Sequence, residues 1–262
     1  MSITEKAWET IAKGRPEQVA AYREQGYVKI GRIFTHAEID TLRAHVDEMI
    51  AALPEGKRPE GMDVPHFGDP WLFRYLADPR VLDVMEAFIG PDIVLWSSHF
   101  IAKPAGDGRA VPWHTDGAYW GSRLQPMEVI TLWLAVDESR VENGCMRVIR
   151  GSHRDVAAAM ERYEQVDSNA HVFGFRLPPE LTPEERAVDL ELEMGEAHLH
   201  DAWTIHGSNA NVSPLRRCGY TMRYMPAHVY HEPKGSHRIY LLRGQDRTGG
   251  RNVYAPVPDL LP

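Results

Sequence analysis

The sequence is poor in cysteine, in long apolar runs and in net positive charge. Cys145 and Cys218 are its only cysteines, too few for a disulfide framework or a cysteine-based zinc site. The net charge of −8 gives no electrostatic reason to expect a nucleic-acid partner. No apolar run approaches the ~18–20 residues of a membrane span, and the first residues lack the apolar core of a secretory signal. We therefore expect a cytoplasmic protein without nucleic-acid or membrane partners.

The composition is that of an ordinary globular protein. Hydrophobic residues make up 43% of the chain and charged residues 25%, both close to usual values. No internal repeat or low-complexity segment is visible. Since one β-sandwich or barrel domain often takes roughly 200–250 residues, we expect residues 1–262 to form a single domain, acting as a monomer or a homodimer.

Helical patterns dominate the first part of the chain, residues 1–91. Pro16 opens a stretch that stops at Gly26, before a short strand at 27–30. Thr35 and Glu38 have the spacing of a capping box. The helix behind this box carries an apolar stripe made of Ile39, Leu42, Val46, Ile50 and Leu53. A further helix is expected over 78–90, from an Asp-Pro start to a Gly-Pro end.

Short strands follow the helices. Residues 92–228 show strand patterns separated by turn clusters, at 93–101, 129–136, 145–149, 190–194, 203–206 and 217–225. An insertion near 155–188, with a helical piece at its start, interrupts them and is a candidate lid. The tail from Tyr230 looks irregular. This order predicts an α+β, mainly β fold, with N-terminal helices beside a sandwich or barrel.

A His-x-Asp pattern is the first candidate for chemistry among the 13 histidines. Two histidines and one carboxylate leave open positions on a non-haem iron. On a strand, positions i and i+2 face the same side, so His114 and Asp116 would point at one metal. Spacing alone does not decide this, because His153 and Asp155 share the pattern. His36 and Glu38 form a similar pair, but they sit at a helix start, where Glu38 already has a capping role.

A distant third ligand favours the first of these pairs. His206 ends a predicted strand, and Arg217 begins the next one, so we expect a hairpin that brings them together. Arginine's planar fork suits the far carboxylate of a dicarboxylate cosubstrate. The Ser208 hydroxyl can add a hydrogen bond. A surface arginine beside a turn is the plainer interpretation of Arg217.

Five segments, in this order along the chain, resemble the phytanoyl-CoA dioxygenase family. They are LFRYLADPRVLDVMEAFIGPDI, HFIAKP, PWHTDGAYW, TLWLAVDESRVENGCMRVIRGSHR and HGSNANVSPLRR. Each is weak alone, but the ordered set is specific and spans roughly residues 20–226. The resemblance implies a double-stranded β-helix, which is a jelly-roll, cupin-like core. It places the GSHR segment, and with it His153, away from the iron.

The resemblance also implies the site residues. It places Fe(II) on His114, Asp116 and His206, and it places 2-oxoglutarate against Arg217, Ser208, Trp133 and His99. Some family members add a lysine from the loop before the LFRY segment. Here that loop contains no lysine, which leaves open whether His66 takes its place. Since Asp116 retains the carboxylate ligand, hydroxylation is favoured over halogenation.

The expected activity is hydroxylation of an unactivated C–H bond with O2 and 2-oxoglutarate, releasing succinate and CO2. The candidate substrate contacts are Arg223, Tyr119, Trp120 and Arg123. Strand alternation puts Arg223 on the face of Arg217, where it would bind an anionic group of a small or medium metabolite or form an internal salt bridge. Two alternatives remain, namely a cupin-like metalloenzyme that does not use 2-oxoglutarate, and a non-catalytic binding protein.

Overall fold

The computed structural model describes residues 14–155, 162–167 and 169–259, so most of the helical piece predicted after residue 155 lies outside the described residues. The helices in the described part are α1 (Pro16–Gln25), α2 (His36–Ala51), α3 (Phe73–Leu76), α4 (Pro79–Ile89) and α5 (Asp116–Trp120). Within these residues, none of the helices has the length and apolar character that a membrane crossing requires.

Local signals explain the helix boundaries. Gly26 ends α1 with φ of 83°, a left-handed conformation that favours glycine. Thr35 and Glu38 form the predicted capping box before α2, because each side chain accepts the other residue's backbone N–H. The side chain of Asp78 caps α4 by accepting from the backbone N–H of Arg80 at 2.8 Å. These predictions are confirmed.

The strands form two main antiparallel sheets. The strands are β1 (Tyr27–Arg32), β2 (Met62–Asp63), β3 (Ile93–Lys103), β4 (Val111–His114), β5 (Leu124–Gln125), β6 (Ile130–Ala135), β7 (Met146–Ile149), β8 (Glu164–Gln165), β9 (Phe175–Arg176), β10 (Ala187–Leu190), β11 (Glu196–Asp201), β12 (His206–Ser208), β13 (Arg217–Pro226), β14 (Tyr230–His231) and β15 (Tyr240–Arg243). The larger sheet has the order β1-β11-β6-β13-β3-β15, with β2 also paired to β3, and the smaller has the order β10-β7-β12-β4. Two short antiparallel pairs, β5 with β14 and β8 with β9, complete the pairing.

The larger sheet is buried on both faces. On β13, Tyr220, Met222 and Tyr224 point outward into a core shared with α2 and α4. The alternate residues point inward, towards the smaller sheet, where Trp133 packs with Met146 and other apolar side chains. All residues of β3 and β13 are buried, as a sheet covered on both sides requires. The predicted jelly-roll fold with flanking helices is confirmed.

Two predicted strands are wrong, and β11 is the longest of the strands that were not foreseen. The strand expected at 190–194 ends at Leu190, opposite Met146 at the start of β7, and beyond it only Leu192 forms an isolated bridge, to Ser139. Of the segment expected at 203–206, only His206 is in a strand, as the first residue of β12. Residues 203–205 form a turn, in which the side chain of Asp201 accepts from the Trp203 N–H. The composition of β11 (Glu196–Asp201) is mostly polar, which hid it from the strand patterns.

The C-terminal tail is more ordered than predicted. β15 extends the larger sheet by pairing with β3, and β14 pairs with β5. Asn252 ties the following loop to β14 by accepting from the His231 N–H at 2.9 Å. The Arg-rich composition of this tail concealed these short strands.

Candidate metal centre and its cavities

The three predicted metal ligands meet at one end of the smaller sheet. His114 is the last residue of β4, and His206, the first of β12, is its direct cross-strand partner. The Nε2 atoms of His114 and His206 lie 3.7 and 4.0 Å from Oδ1 of Asp116. All three residues are buried, and their ligand atoms lie within 4.8 Å of one another.

The route by which Asp116 reaches this point differs from the predicted one. The two ligands of the His-x-Asp pattern do not share a strand, since β4 ends at His114 and Asp116 is the first residue of α5. The Gly117 N–H donates to the Ala202 carbonyl at 2.8 Å. A Cβ on Gly117 would lie 3.0 Å from the ring of Trp203, so glycine allows the close approach that anchors this turn.

Backbone contacts orient both histidine rings. Nδ1 of His114 lies 2.8 Å from the Pro112 carbonyl, and Nδ1 of His206 lies 2.9 Å from the Thr204 carbonyl. A carbonyl only accepts hydrogen bonds, so the proton sits on Nδ1 and the lone pair on Nε2 faces Asp116. Burial, with the neighbouring histidines, holds the pKa of His206 well below its usual value. Two imidazole nitrogens and one carboxylate fit Fe(II) with an open face.

Neighbours outside the triad hold the second oxygen of Asp116. The Thr131 hydroxyl and Nε of Arg223 each lie 3.5 Å from Oδ2, and His200 Nε2 lies 3.9 Å away. Burial alone raises the pKa of the Asp116 carboxyl, but the charge of Arg223 and the proximity of His114 and His200 outweigh it and hold the pKa well below its usual value. Asp116 is therefore an anion whose Oδ1 faces the metal position.

His200 is a site residue that sequence reasoning missed. It lines the cavity beside the metal position and stands 4.7 Å from the ring of His206, centroid to centroid. Among the described residues, neither ring nitrogen of His200 has a hydrogen-bond partner, and the same is true of His198. The signal was the His-x-His alternation of β11, which turns both rings to one face, but β11 had not been recognised as a strand.

Arg217 lies at the back of the same cavity. It is 1% exposed, which excludes the surface interpretation. Its Nη2 donates to the Gly144 carbonyl at 2.7 Å and to Ser208 Oγ at 3.2 Å. Gly144 has φ of 76°, and a Cβ there would lie 2.5 Å from the Asn209 carbonyl oxygen. The predicted hairpin between His206 and Arg217 is wrong, because β12 and β13 belong to different sheets that face each other.

Trp133 packs against the guanidinium of Arg217. The guanidinium carbon lies 5.4 Å from the centre of the Trp133 ring, which is cation–π contact distance. The same ring stacks on His198 with an interplanar angle of 15°. A Cβ on Gly219 would lie 2.0 Å from the Trp133 ring, so the glycine makes space for the indole. Trp133 and Arg217 line one cavity together with His114, Asp116 and His206.

A buried lysine on the neighbouring strand also escaped sequence reasoning. Lys103 is the cross-strand partner of Arg217 and is fully buried, and its Nζ lies 3.4 Å from the Ser208 carbonyl and also donates to the Asn209 carbonyl. Burial, together with the charge of Arg217, lowers its pKa well below the usual value. The sequence signal was the alternation of side chains along β3, which turns Lys103 towards the interior of the barrel.

A second, outer cavity adjoins the first. Asp116, Arg223 and Phe173 line both, and Phe173 stands edge-on to His114 at 5.0 Å between ring centroids. The outer wall contains the other predicted substrate residues, Tyr119, Trp120 and Arg123, as well as His99. Nε2 of His99 lies 3.0 Å from the Glu60 carbonyl.

The remaining predicted histidines lie elsewhere. Nδ1 of His66 lies 2.7 Å from the Ser98 hydroxyl, and its ring packs against Phe73 and Tyr240 on the helix-covered face of the larger sheet. It is therefore separated from Arg217 by the sheet itself. Nε2 of His153 lies 3.2 Å from the Arg23 carbonyl near the end of α1.

The fold and the site define a class of proteins, namely jelly-roll oxygenases that hold one Fe(II) through two histidines and a carboxylate and use 2-oxoglutarate. Within it the chain belongs to the phytanoyl-CoA dioxygenase family, whose model matches residues 22–219. The dioxygenase assignment and the cofactors inferred from the sequence agree with this membership.

Similar proteins include enzymes of known structure. The chain is 24% identical to ectoine dioxygenase of Bordetella parapertussis over 229 residues, which cover 79% of this chain and 74% of that protein. The apo structure of the non-heme monooxygenase ThoJ matches with a TM-score of 0.76 at 24% identity, covering 92% of this chain and 88% of that one. EctD from S. alaskensis with bound Fe matches with a TM-score of 0.70 at 24% identity, covering 93% and 87%.

Proposed function

We propose that the protein is an Fe(II)- and 2-oxoglutarate-dependent hydroxylase of a small or medium metabolite. One observation carries the proposal. Arg217 is fully buried, and among the described residues no carboxylate forms an ion pair with it; its guanidinium instead donates to carbonyls and to Ser208. A cation buried in this way, in the cavity that contains the metal ligands, is suited to an anionic ligand.

The chain's own residues bind and orient the reactants. Arg217 and Ser208 bind the far carboxylate of 2-oxoglutarate, while Trp133 supports the guanidinium from below. The keto-acid end then faces His114, Asp116 and His206. When bound there, Fe(II) with 2-oxoglutarate and O2 supplies the oxidising power for hydroxylation, and succinate and CO2 are released.

Water is kept from this cavity by apolar walls. Ile101, Val111, Met146 and Phe173 line it together with the polar residues, and the first three are buried. A substrate reaches the metal through the outer cavity, since Asp116, Arg223 and Phe173 border both spaces. Excluding stray water keeps the oxidant for the positioned C–H bond.

The test is metal-dependent and 2-oxoglutarate-dependent turnover. Wild-type protein with Fe(II), 2-oxoglutarate and air is screened against a metabolite panel, and succinate is measured. At least one compound is expected to raise succinate formation, and His114→Ala is expected to lose both metal and turnover. The matched control is His153→Ala, which has the same His-x-Asp spacing but lies away from the site. The proposal is overturned if both variants keep their metal and the wild type forms no succinate with any compound of the panel.

A further inference from the structure

We propose that the substrate carries an oxyanion, either a carboxylate or a phosphate, and that Arg123 and Arg223 bind it in the outer cavity. The inference rests on the proposed function and adds the substrate class. It is carried by two cations, an aromatic pair and a cavity wall that both arginines share with the metal ligand Asp116.

Arg123 has donors that the described residues leave unused. Its guanidinium carbon lies 4.8 Å from the centre of the Trp96 ring. Its buried Nε has no hydrogen-bond partner among the described residues. A buried N–H without an acceptor is costly, so a ligand oxygen in the cavity would relieve that cost.

Arg223 is the second cation and is 8% exposed. Its Nε is 3.5 Å from Asp116 Oδ2, and its Nη1 is 3.4 Å from the Ser97 hydroxyl. Both contacts are at the outer limit of hydrogen bonding. The other oxygen of Asp116 faces the metal position, so the negative charge of Asp116 is shared between the metal position and Arg223. The guanidinium thus retains capacity for a stronger acceptor.

An aromatic pair positions the two guanidinium groups. Arg223 stands over Trp120 with 5.4 Å from the guanidinium carbon to the ring centre, and Arg123 stands over Trp96. The two indoles touch edge to face with centroids 6.0 Å apart. A cation–π contact uses none of the N–H donors of a guanidinium, so these donors stay free for a ligand. Two guanidinium groups beside one cavity therefore suit an oxyanion.

Other charged groups in the outer cavity do not satisfy these arginines. Asp63 is the other carboxylate on its wall, but its side chain is 67% exposed and is therefore hydrated. The histidines there add little charge, because burial lowers the pKa of His99 to about 4 and also lowers that of His237. Two cations thus face the cavity with two carboxylates, of which Asp116 is directed at the metal position and Asp63 is solvated.

The position of Arg223 sets the orientation of the substrate. It borders both cavities, so an anion bound there places the adjoining carbon atoms near Phe173 and the metal position. Tyr119 and Trp120 offer apolar surface for those carbons. The reacting C–H bond is therefore expected a few bonds away from the anionic group.

Binding of matched probes tests the proposal without turnover. Benzoate, phenyl phosphate and the neutral isostere benzamide are titrated into enzyme loaded anaerobically with Fe(II) and 2-oxoglutarate, at constant ionic strength. Saturating 2-oxoglutarate keeps the probes away from Arg217. We expect at least one anion to bind about tenfold or more tightly than benzamide, the effect of one charged hydrogen-bonding pair. Whichever anion binds better identifies the carboxylate or the phosphate as the preferred group.

Variants localise the effect. Arg123→Gln should reduce the preference for the anion severalfold, and Arg123→Lys should keep part of it through charge alone. The control is Arg43→Gln, since Arg43 pairs with Asp137 in a separate cavity and should leave the preference intact.

The outcomes separate this inference from the proposed function. If the wild type binds Fe(II) and 2-oxoglutarate but takes benzamide as well as the anions, the oxyanion site is wrong and the proposed function stands. An unchanged preference in Arg123→Gln also overturns it. Failure of the wild type to bind Fe(II) and 2-oxoglutarate overturns both.

Discussion

The Arg217 guanidinium donates to Ser208 Oγ at 3.2 Å across the interior of the barrel, although the two residues lie on strands of different sheets. The contact joins the larger sheet to the strand that begins with the metal ligand His206. A cosubstrate that touches both the metal and Arg217 therefore depends on the spacing of the two sheets.

Replacing Arg217 tests its proposed role directly. Arg217→Gln removes a charged partner of the cosubstrate carboxylate, worth about 2 kcal/mol, so the KM for 2-oxoglutarate should rise about 30-fold. Steady-state succinate formation measures it. The control is Arg216→Gln, because Arg216 pairs with Asp137 instead. Equal KM values in wild type and Arg217→Gln would contradict the role.

Gly219 is expected to tolerate no side chain. In Gly219→Ala the new Cβ would meet the Trp133 ring at 2.0 Å, and the indole must move. We expect a loss of about 1–3 kcal/mol in the free energy of unfolding and weaker binding of 2-oxoglutarate. Gly61→Ala is the control, since a Cβ there meets nothing within 4 Å. Urea denaturation compares them, and equal losses would disprove the clash.

His200 is expected to support the metal through Asp116. His200→Leu removes a ring that lies 3.9 Å from the Asp116 carboxylate, and loss of such outer contacts costs about 10-fold or more in metal affinity. His198→Leu is the matched control, because His198 stacks on Trp133 instead. Competitive metal titration gives both constants. If His198→Leu lowers the affinity as much as His200→Leu, the contact to Asp116 is not the cause.

His66 should make the fold sensitive to acid. Burial, with the charges of His237 and Arg238, lowers its pKa from 6.5 to about 3, so below pH 6.5 the unfolded chain takes up a proton that the folded chain does not. The free energy of unfolding therefore falls as the pH falls through 6.5, by about 2 kcal/mol by roughly pH 5.

His66→Asn separates this contribution from others. Asparagine retains a polar group for the Ser98 hydroxyl but does not titrate. Denaturation at about pH 7 and pH 5 should show a smaller loss of stability in the variant than in the wild type. Parallel losses in the two proteins would show that His66 contributes nothing to the acid sensitivity.

The sequence was most informative where local rules decide the structure. The capping box at Thr35 and Glu38, the glycine end of α1 and the alternation of β13 all follow from nearest neighbours, and all are present. The His-x-Asp pattern identified two metal ligands although its assumed strand is wrong. Asp116 reaches the metal from a helix start, which tertiary contacts at Gly117 position.

The features that were missed depend on pairing across the chain. β11 lies between β1 and β6 in the larger sheet, but its residues are mostly polar. Its local sequence therefore lacks the apolar pattern by which strands are recognised. His198, His200 and their contacts with Trp133 and His206 were missed with it. Lys103 was missed because a buried lysine violates the usual rule.

The most direct test of the account is anaerobic calorimetric titration of 2-oxoglutarate with and without Fe(II). If the metal triad and Arg217 bind one cosubstrate together, wild-type protein should show a single site whose affinity rises at least about tenfold when Fe(II) is present, and His206→Ala should lose that gain. An affinity that is the same with and without Fe(II), or that His206→Ala leaves unchanged, would contradict a shared metal and cosubstrate site.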